Sequence, residues 1–257
     1  MDDRMSSYTA SLSSSMVDYP TEYGRTYHAF RAGSYNSPND ERESDRLGLT
    51  HTVMVKTIGN TLFLAPINET KTHRILDIGT GTGATEMGDF FPNAEVTGID
   101  LSPIQPSWVP PNVKFEVDDV GNKKYTFIFS RYMAGSIADW QLYISRIFKN
   151  LTPGGWADLN AWVRDLGFQN VEHRHYKIPI GPWAKDPSLK DIGMGNLIQM
   201  LEGLDAFTLK LFSTALDGTR EGALVLLSQV RQEMKACKTH VYLHFHVVYE
   251  QKLEQRE

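Results

Sequence analysis

RILDIGTGTGATE, residues 74–86, sets an apolar run against an acid and then spaces three glycines one residue apart. Ile75, Leu76 and Ile78 read as a buried strand, and Ala84 opens helical spacing. Gly79, Gly81 and Gly83 therefore fall in a strand-to-helix turn, where open parallel sheets bind ligands beyond the carboxyl ends of their strands. The spacing is G-x-G-x-G, neither the dinucleotide G-x-G-x-x-G nor a phosphate loop with its Gly-Lys-Ser/Thr. Asp77 stands two residues before the first glycine and Glu86 lies in the first helical turn. Carboxylates there compete with a phosphate for the helix N-terminus and suit a ligand that carries an amino group.

Working outward, EVTGID, VKFEV, YTFIFS and GGWADLN are further short apolar runs, with GTGATEMGDFFPN and ADWQLYISRIFKNLTPGG spaced as helices between them. Alternating strands and helices predict a parallel sheet covered on both faces. Pro153-Gly154-Gly155 is expected to stop the second of these helices and turn the chain into the next strand. FQNVEHRHYKIPI reads as a strand, Asn196–Leu216 as a helix with a broad apolar stripe, Thr219 as the start of another, and THVYLHFHVVYEQK as a closing strand. Upstream, SPNDERESDRLGLTHTVMVKTIGN reads as a helix opened by Pro38 and Asn39, with Leu47, Met54 and Ile58 on one side. Residues 1–20 are Ser-rich and aperiodic and read as a disordered tail. The rest, 21–257, reads as one domain: an N-terminal helical lid to residue 70, a ligand-binding half over 71–160 and a C-terminal half with a helical cap over 161–257.

The net charge of −5 argues against a nucleic-acid footprint. Cys237 stands alone, so no internal disulfide forms and a reducing compartment, cytoplasm or nucleus, is expected. The start of the chain lacks an apolar signal region, and no apolar run approaches the ~20 residues needed to span a bilayer. His240, His244 and His246 lie close together on the closing strand, but no Cys or paired acid completes a ligand set, so no metal is expected.

Two more acids extend the first. Asp100 ends EVTGID, placed to accept from both hydroxyls of a ribose, and Asp118-Asp119 end VKFEVDD, placed to accept from an adenine amino group. Acids at the tips of three successive strands suit S-adenosylmethionine, with its ammonium, ribose and adenine. At these residues the sequence resembles the class I S-adenosylmethionine-dependent methyltransferases, a Rossmann-like fold with a seven-stranded, mostly parallel sheet, helices on both faces and a helical lid. More narrowly it resembles the fungal LaeA-like, or TAM-domain, methyltransferases of secondary metabolism. YGRTYHAFRAGSYNSPNDERESDRL, LAPI, GIDLSPIQPSWVPPNVKFEVDD, SRYMAGSIADW, LTPGGW and IPIGPWAKDP carry that narrower likeness. The resemblance implies that Asp77, Gly79, Gly81 and Gly83 form the methionine-binding turn and that Asp100 holds the ribose with Leu101 against the adenine. It further implies that Asp119 and Val120 meet the adenine edge, that Ser130 and Arg131 lie beside the methyl donor, and that Gly24 to His28 fold over it as a lid. Tyr27, His28 and Arg131 are the candidates, by placement, to assist proton loss from an acceptor. A small metabolite or a protein is the implied methyl acceptor, with velvet-type regulatory proteins as implied partners.

Two connections are short for this fold. Val120 to Lys124 must pass two intervening strands, a diagonal of about 22 Å that needs roughly seven extended residues. Ala161 to Leu166 stand where a crossover helix is expected, and six helical residues rise only about 9 Å. The chain reads like a family member with two internal segments missing, which would leave apolar sheet surface wet and thin the wall of the substrate pocket. Two functions follow: an active methyltransferase, or a non-catalytic or weakly active adaptor that keeps the fold and binds regulatory partners. A nicotinamide-dependent reductase fails on the glycine spacing and on the lack of a Tyr-x-x-x-Lys pair.

Overall fold

The computed structural model describes residues 18–30, 35–81, 83–106, 108–117, 123–133, 135–159, 167–215 and 219–253. The Ser-rich tail up to residue 17, Asp118 to Asn122 and Asn160 to Leu166 lie outside them, so both short connections, apart from Lys123 and Lys124, do as well. The chain divides into two compact units: Met1–Asp18, Leu62–His175 and His246–Glu257 form one, and Tyr19–Thr61 with Tyr176–Phe245 form the other.

The seven-stranded sheet is built from β1 (Arg74–Ile78), β2 (Glu95–Asp100), β3 (Val113–Val117), β4 (Tyr125–Ser130), β5 (Leu151–Leu159), β6 (Phe168–Ile180) and β7 (Val241–Lys252). Their order is β3-β2-β1-β4-β5-β7-β6. The β1, β2, β3, β4 and β5 pairings are parallel, and β7 runs antiparallel to β5. This is the Rossmann-like class I arrangement. The division between the units falls inside the two long strands β6 and β7.

In the first unit, strand alternation sends Ile75, Val96, Phe115 and Phe127 to one face, against α2 (Ala84–Phe90). It sends Leu76, Ile128, Ala157 and Leu159 to the other, against Ile144 and Ile147 of α3 (Trp140–Asn150). Helix α3 is capped by Asp139, which accepts from the Leu142 amide. It ends at Asn150, before Pro153, and β5 begins at Leu151, so the Pro-Gly-Gly is not the helix stop but lies inside the strand. The strand accommodates it with an irregularity: its pairing with β4 jumps from Tyr125↔Leu151 to Phe127↔Trp156.

At the β6–β7 end, Gln169 to Glu172, Arg174 and His175 are exposed, and all but Val171 are polar. The His246 Nδ1 lies 2.8 Å from His173 Nε2, and the His175 ring stacks on that of His246 at 4.5 Å.

In the second unit, α1 (Glu41–Thr57) is capped by Asp40, whose carboxylate accepts from the Glu43 amide. Its buried face is Glu43, Arg46, Thr50, Val53 and Met54, with Ile58 buried just past its end and Leu47 half-buried. Arg46 pairs bidentately with Glu43 at 2.7 and 3.0 Å and donates at 3.0 Å to Gln199 on α4 (Pro187–Ala215). Gln199 in turn donates to Asn196, and Asn196 to the Pro179 carbonyl. Burying that charge is tolerable because every partner is present. Helix α5 (Arg220–Ala236), capped by Thr219, packs Ala223 and Leu227 against Leu204 and Leu209. No helix among the described residues is long and apolar enough to cross a membrane.

Glu250 on β7 breaks the pattern of paired burial. It sits opposite Ala157, is 0% exposed, and neither carboxylate oxygen has a hydrogen-bond partner. Burial pushes its carboxyl up to about 8 from the usual 4.5. The folded state therefore holds a proton that the unfolded chain releases. Stability from this group is fully present below about 4.5 and is lost toward pH 8, at up to about 1.4 kcal/mol per pH unit. The expected outcome is that Glu250→Gln flattens the fall of Tm between pH 5 and 8. Parallel pH profiles for the two proteins would count against it.

Candidate functional site

The carboxyl ends of β1 and β2 are tied together by backbone that turns the wrong way for most residues. Gly79 has φ +68° and Gly81 φ +49°, left-handed conformations that glycine alone adopts freely. Gly83, with φ −73°, is an ordinary right-handed cap for α2, so only two of the three glycines are demanded by conformation. The turn lets the Gly79 and Thr80 amides donate to the Ile99 carbonyl at 2.9 and 3.1 Å. The Gly81 amide donates to Asp100 Oδ2 at 2.9 Å, and the Ser102 amide to Asp100 Oδ1 at 3.2 Å. Thr80 donates its hydroxyl to Asp77 Oδ2 at 2.7 Å and accepts from the Ala84 amide at 2.9 Å.

Asp77 is buried, and desolvation pushes its carboxyl up to about 6 against the opposing pull of Thr80 and Arg131. Register places it opposite Phe129 on β4, and Phe129 opposite Asp158 on β5. The three side chains form a row across adjacent strands. Arg131 lays its guanidinium over the Phe129 ring at 4.8 Å. Burial lowers its pKa, while Asp77, Asp158 and Glu86 oppose that. Asp158 accepts from the Leu64 and Ala65 amides at 2.8 and 3.2 Å and is also pushed up to about 6 by burial.

The structure thus brings Asp77, Gly79, Gly81, Asp100 and Arg131 to one end of the sheet, with Leu101 half-buried beside Asp100. Ser130 is turned toward α3, its hydroxyl 2.6 Å from that of Tyr143, whose phenol burial pushes up to about 12. Asp119 and Val120 lie outside the described residues. Tyr27 and His28 belong to the second unit, where both are buried and the Lys210 ammonium sits 4.3 Å over the Tyr27 ring. Among the described residues no group of three His, Cys, Asp or Glu is arranged to hold a metal. Asp158, Tyr143 and Met133, whose sulfur lies against Gly79, are the site residues that sequence reasoning missed. Asp158 left a faint signal, as an acid between Ala157 and Leu159 in an apolar run.

The arrangement fits S-adenosylmethionine. A Cβ placed on Gly81 would meet nothing within 4 Å, so the turn offers bare backbone to a ligand. Asp77 and Asp100, set on either side, can accept from an ammonium and from ribose hydroxyls.

Residues 49–179, just over half of the chain, match the profile of a methyltransferase domain. The chain is 40% identical to methyltransferase pytC of Aspergillus terreus, across 94% of this chain and 90% of that one. That match runs over 294 aligned positions against 257 residues here, so at least 37 positions of pytC fall opposite no residue of this chain. The laeA protein of Emericella nidulans is 28% identical over 88% of this chain and 74% of its own length, and carries the names secondary metabolism regulator and protein-methionine methyltransferase. A solved methyltransferase from Thiobacillus denitrificans, in complex with S-adenosyl-L-homocysteine, is 19% identical over 85% of this chain and 94% of that one, with a TM-score of 0.42. Identity of 40% along nearly the whole length, on top of the domain match, assigns the family: the chain belongs to the LaeA-like class I S-adenosylmethionine-dependent methyltransferases, related to fungal proteins of secondary metabolism.

Proposed function

We propose that this chain binds its methyl donor at the Asp77 to Gly83 turn and passes the methyl group to a small metabolite or a protein. The observation that carries the reading is the left-handed turn at Gly79 and Gly81 flanked by two carboxylates. Asp77, once ionised, takes the donor's ammonium, Asp100 its ribose hydroxyls, and Leu101 one side of its adenine, with Asp119 and Val120 at the adenine edge. The donor supplies an activated methyl on a sulfonium, so the protein's part is position and electrostatics. Arg131 holds its proton at any working pH and therefore acts as a fixed positive charge, not as a base. Tyr27 and His28 are the candidates to accept a proton from the acceptor. The single free cysteine agrees with a cytoplasmic or nuclear setting.

A second reading is a non-catalytic or weakly active adaptor that binds velvet-type partners. At least 37 pytC positions have no counterpart in this chain, and the connection after β5, which the resemblance makes part of the substrate-pocket wall, is short; both favour it.

Titration calorimetry of the full chain with S-adenosylmethionine tests the first reading. Asp100→Ala is expected to weaken binding by about 1–3 kcal/mol, the loss of charge-assisted hydrogen bonds. Unchanged affinity would remove Asp100 from the site. The pH dependence tests Asp77: affinity should fall below pH 6 as its carboxyl takes up a proton, and Asp77→Asn should bind weakly with no such fall. To separate enzyme from adaptor, a relative's segment is inserted between Asn160 and Ala161. Turnover that rises with the insertion supports a crippled catalyst; equal turnover and equal Tm show that the segment is dispensable.

A further inference from the structure

Met133 lies three residues beyond the end of β4, half-buried. A Cβ on Gly79 would come within 2.4 Å of its Sδ and 3.3 Å of its Cε. The thioether therefore rests directly on the first left-handed glycine of the turn. That is the same backbone the donor's amino-acid end must use if Asp77, two residues earlier, receives its ammonium.

The chain takes trouble to put the sulfur there. Tyr132, immediately before it, has φ 62°, a left-handed conformation that a residue with a Cβ adopts only against steric resistance. The kink separates two side chains with different destinations: Arg131 goes over Phe129, and Met133 goes onto Gly79. The Met133 carbonyl then accepts from the Ser136 amide at 2.9 Å, closing the loop behind it. Methionine is unbranched, with three rotatable side-chain bonds, so it can leave such a position by changing rotamer alone. A branched side chain held at the same place could not.

We propose that Met133 is a movable stopper of the donor site: resting on Gly79, it must swing aside for the donor to use that backbone, and it thereby sets the donor affinity. The proposal rests on the donor reading given above. A stopper that shares its position with the ligand raises the apparent Kd by the inverse of the fraction of time the site stands open. Removing it tightens binding of any ligand that uses the turn, whether or not that ligand carries a methyl group.

The test uses the full chain as wild type, Met133→Ala and Met133→Ile, with calorimetry and stopped-flow binding of S-adenosylmethionine and S-adenosylhomocysteine. Met133→Ala is expected to bind both ligands roughly three- to tenfold tighter, with faster association. Met133→Ile, branched at Cβ, is expected to bind both more slowly and more weakly. Melting curves establish that each variant is folded. If Met133→Ala binds either ligand more weakly than wild type, or equally well, Met133 is a wall or a bystander and the stopper is overturned. If wild type and both variants, all folded, bind neither ligand at millimolar concentration, the donor site itself is misplaced and the stopper falls with it.

Discussion

Two backbone angles decide what the carboxyl edge of the sheet can be. Any residue but glycine at position 79 or 81 would pay about 1–2 kcal/mol for its left-handed conformation. Accepting that restriction lets the chain leave β1 and turn within a few residues onto the tip of β2, where the Ile99 carbonyl and the Asp100 carboxylate receive three successive amides. Asp100 is thus positioned by the turn as much as by its own strand. Thr80, caught between, both donates to Asp77 and accepts from the first amide of α2. Ligand geometry, strand tips and helix start are one connected arrangement, and none can shift without the others.

The charges below that turn are arranged by register. Asp77, Phe129 and Asp158 line up because β1, β4 and β5 are parallel neighbours. One cation, Arg131, faces two buried acids whose carboxyls both sit near 6. Neither acid is as fully compensated as Glu43 in the second unit, where Arg46, Gln199 and Asn196 complete a satisfied network. The contrast separates two uses of buried polarity. The Glu43–Arg46 network fixes helices, whereas the Asp77 row leaves an acid able to change charge near neutral pH.

Local pattern carried much of this into the sequence, and pairing carried the rest. Strands, helices and the acids Asp77 and Asp100 were legible because each depends on neighbours a few residues away. Asp158 was not: nothing in GGWADLN says that its side chain shares a face with Asp77, which only the β4–β5 register decides. Helix α1 shows the same limit: Met54 and Ile58 are buried as their spacing suggests, but the burial of Arg46 depends on Gln199, 153 residues away. Pro153 looked like a helix stop, but α3 had already ended, at Asn150, and the strand absorbs the proline in an irregular stretch of pairing. Met133 was invisible, since contact with Gly79 requires the left-handed Tyr132.

The place of β7 between β5 and β6 has a consequence for how the protein is made. It is synthesised after every other described strand, yet it is an interior member of the sheet. Until Val248 to Gln251 leave the ribosome, Trp156 to Leu159 present a row of unpaired backbone groups, with α4 and α5 already emerged. A nascent chain in that state carries an open strand edge, the feature through which sheets join to other sheets. That edge stays exposed until Val248 to Gln251 are free to pair with it. A premature stop anywhere before Val248 leaves a parallel sheet that cannot close, so such truncations should accumulate as aggregates and not as partly working enzyme.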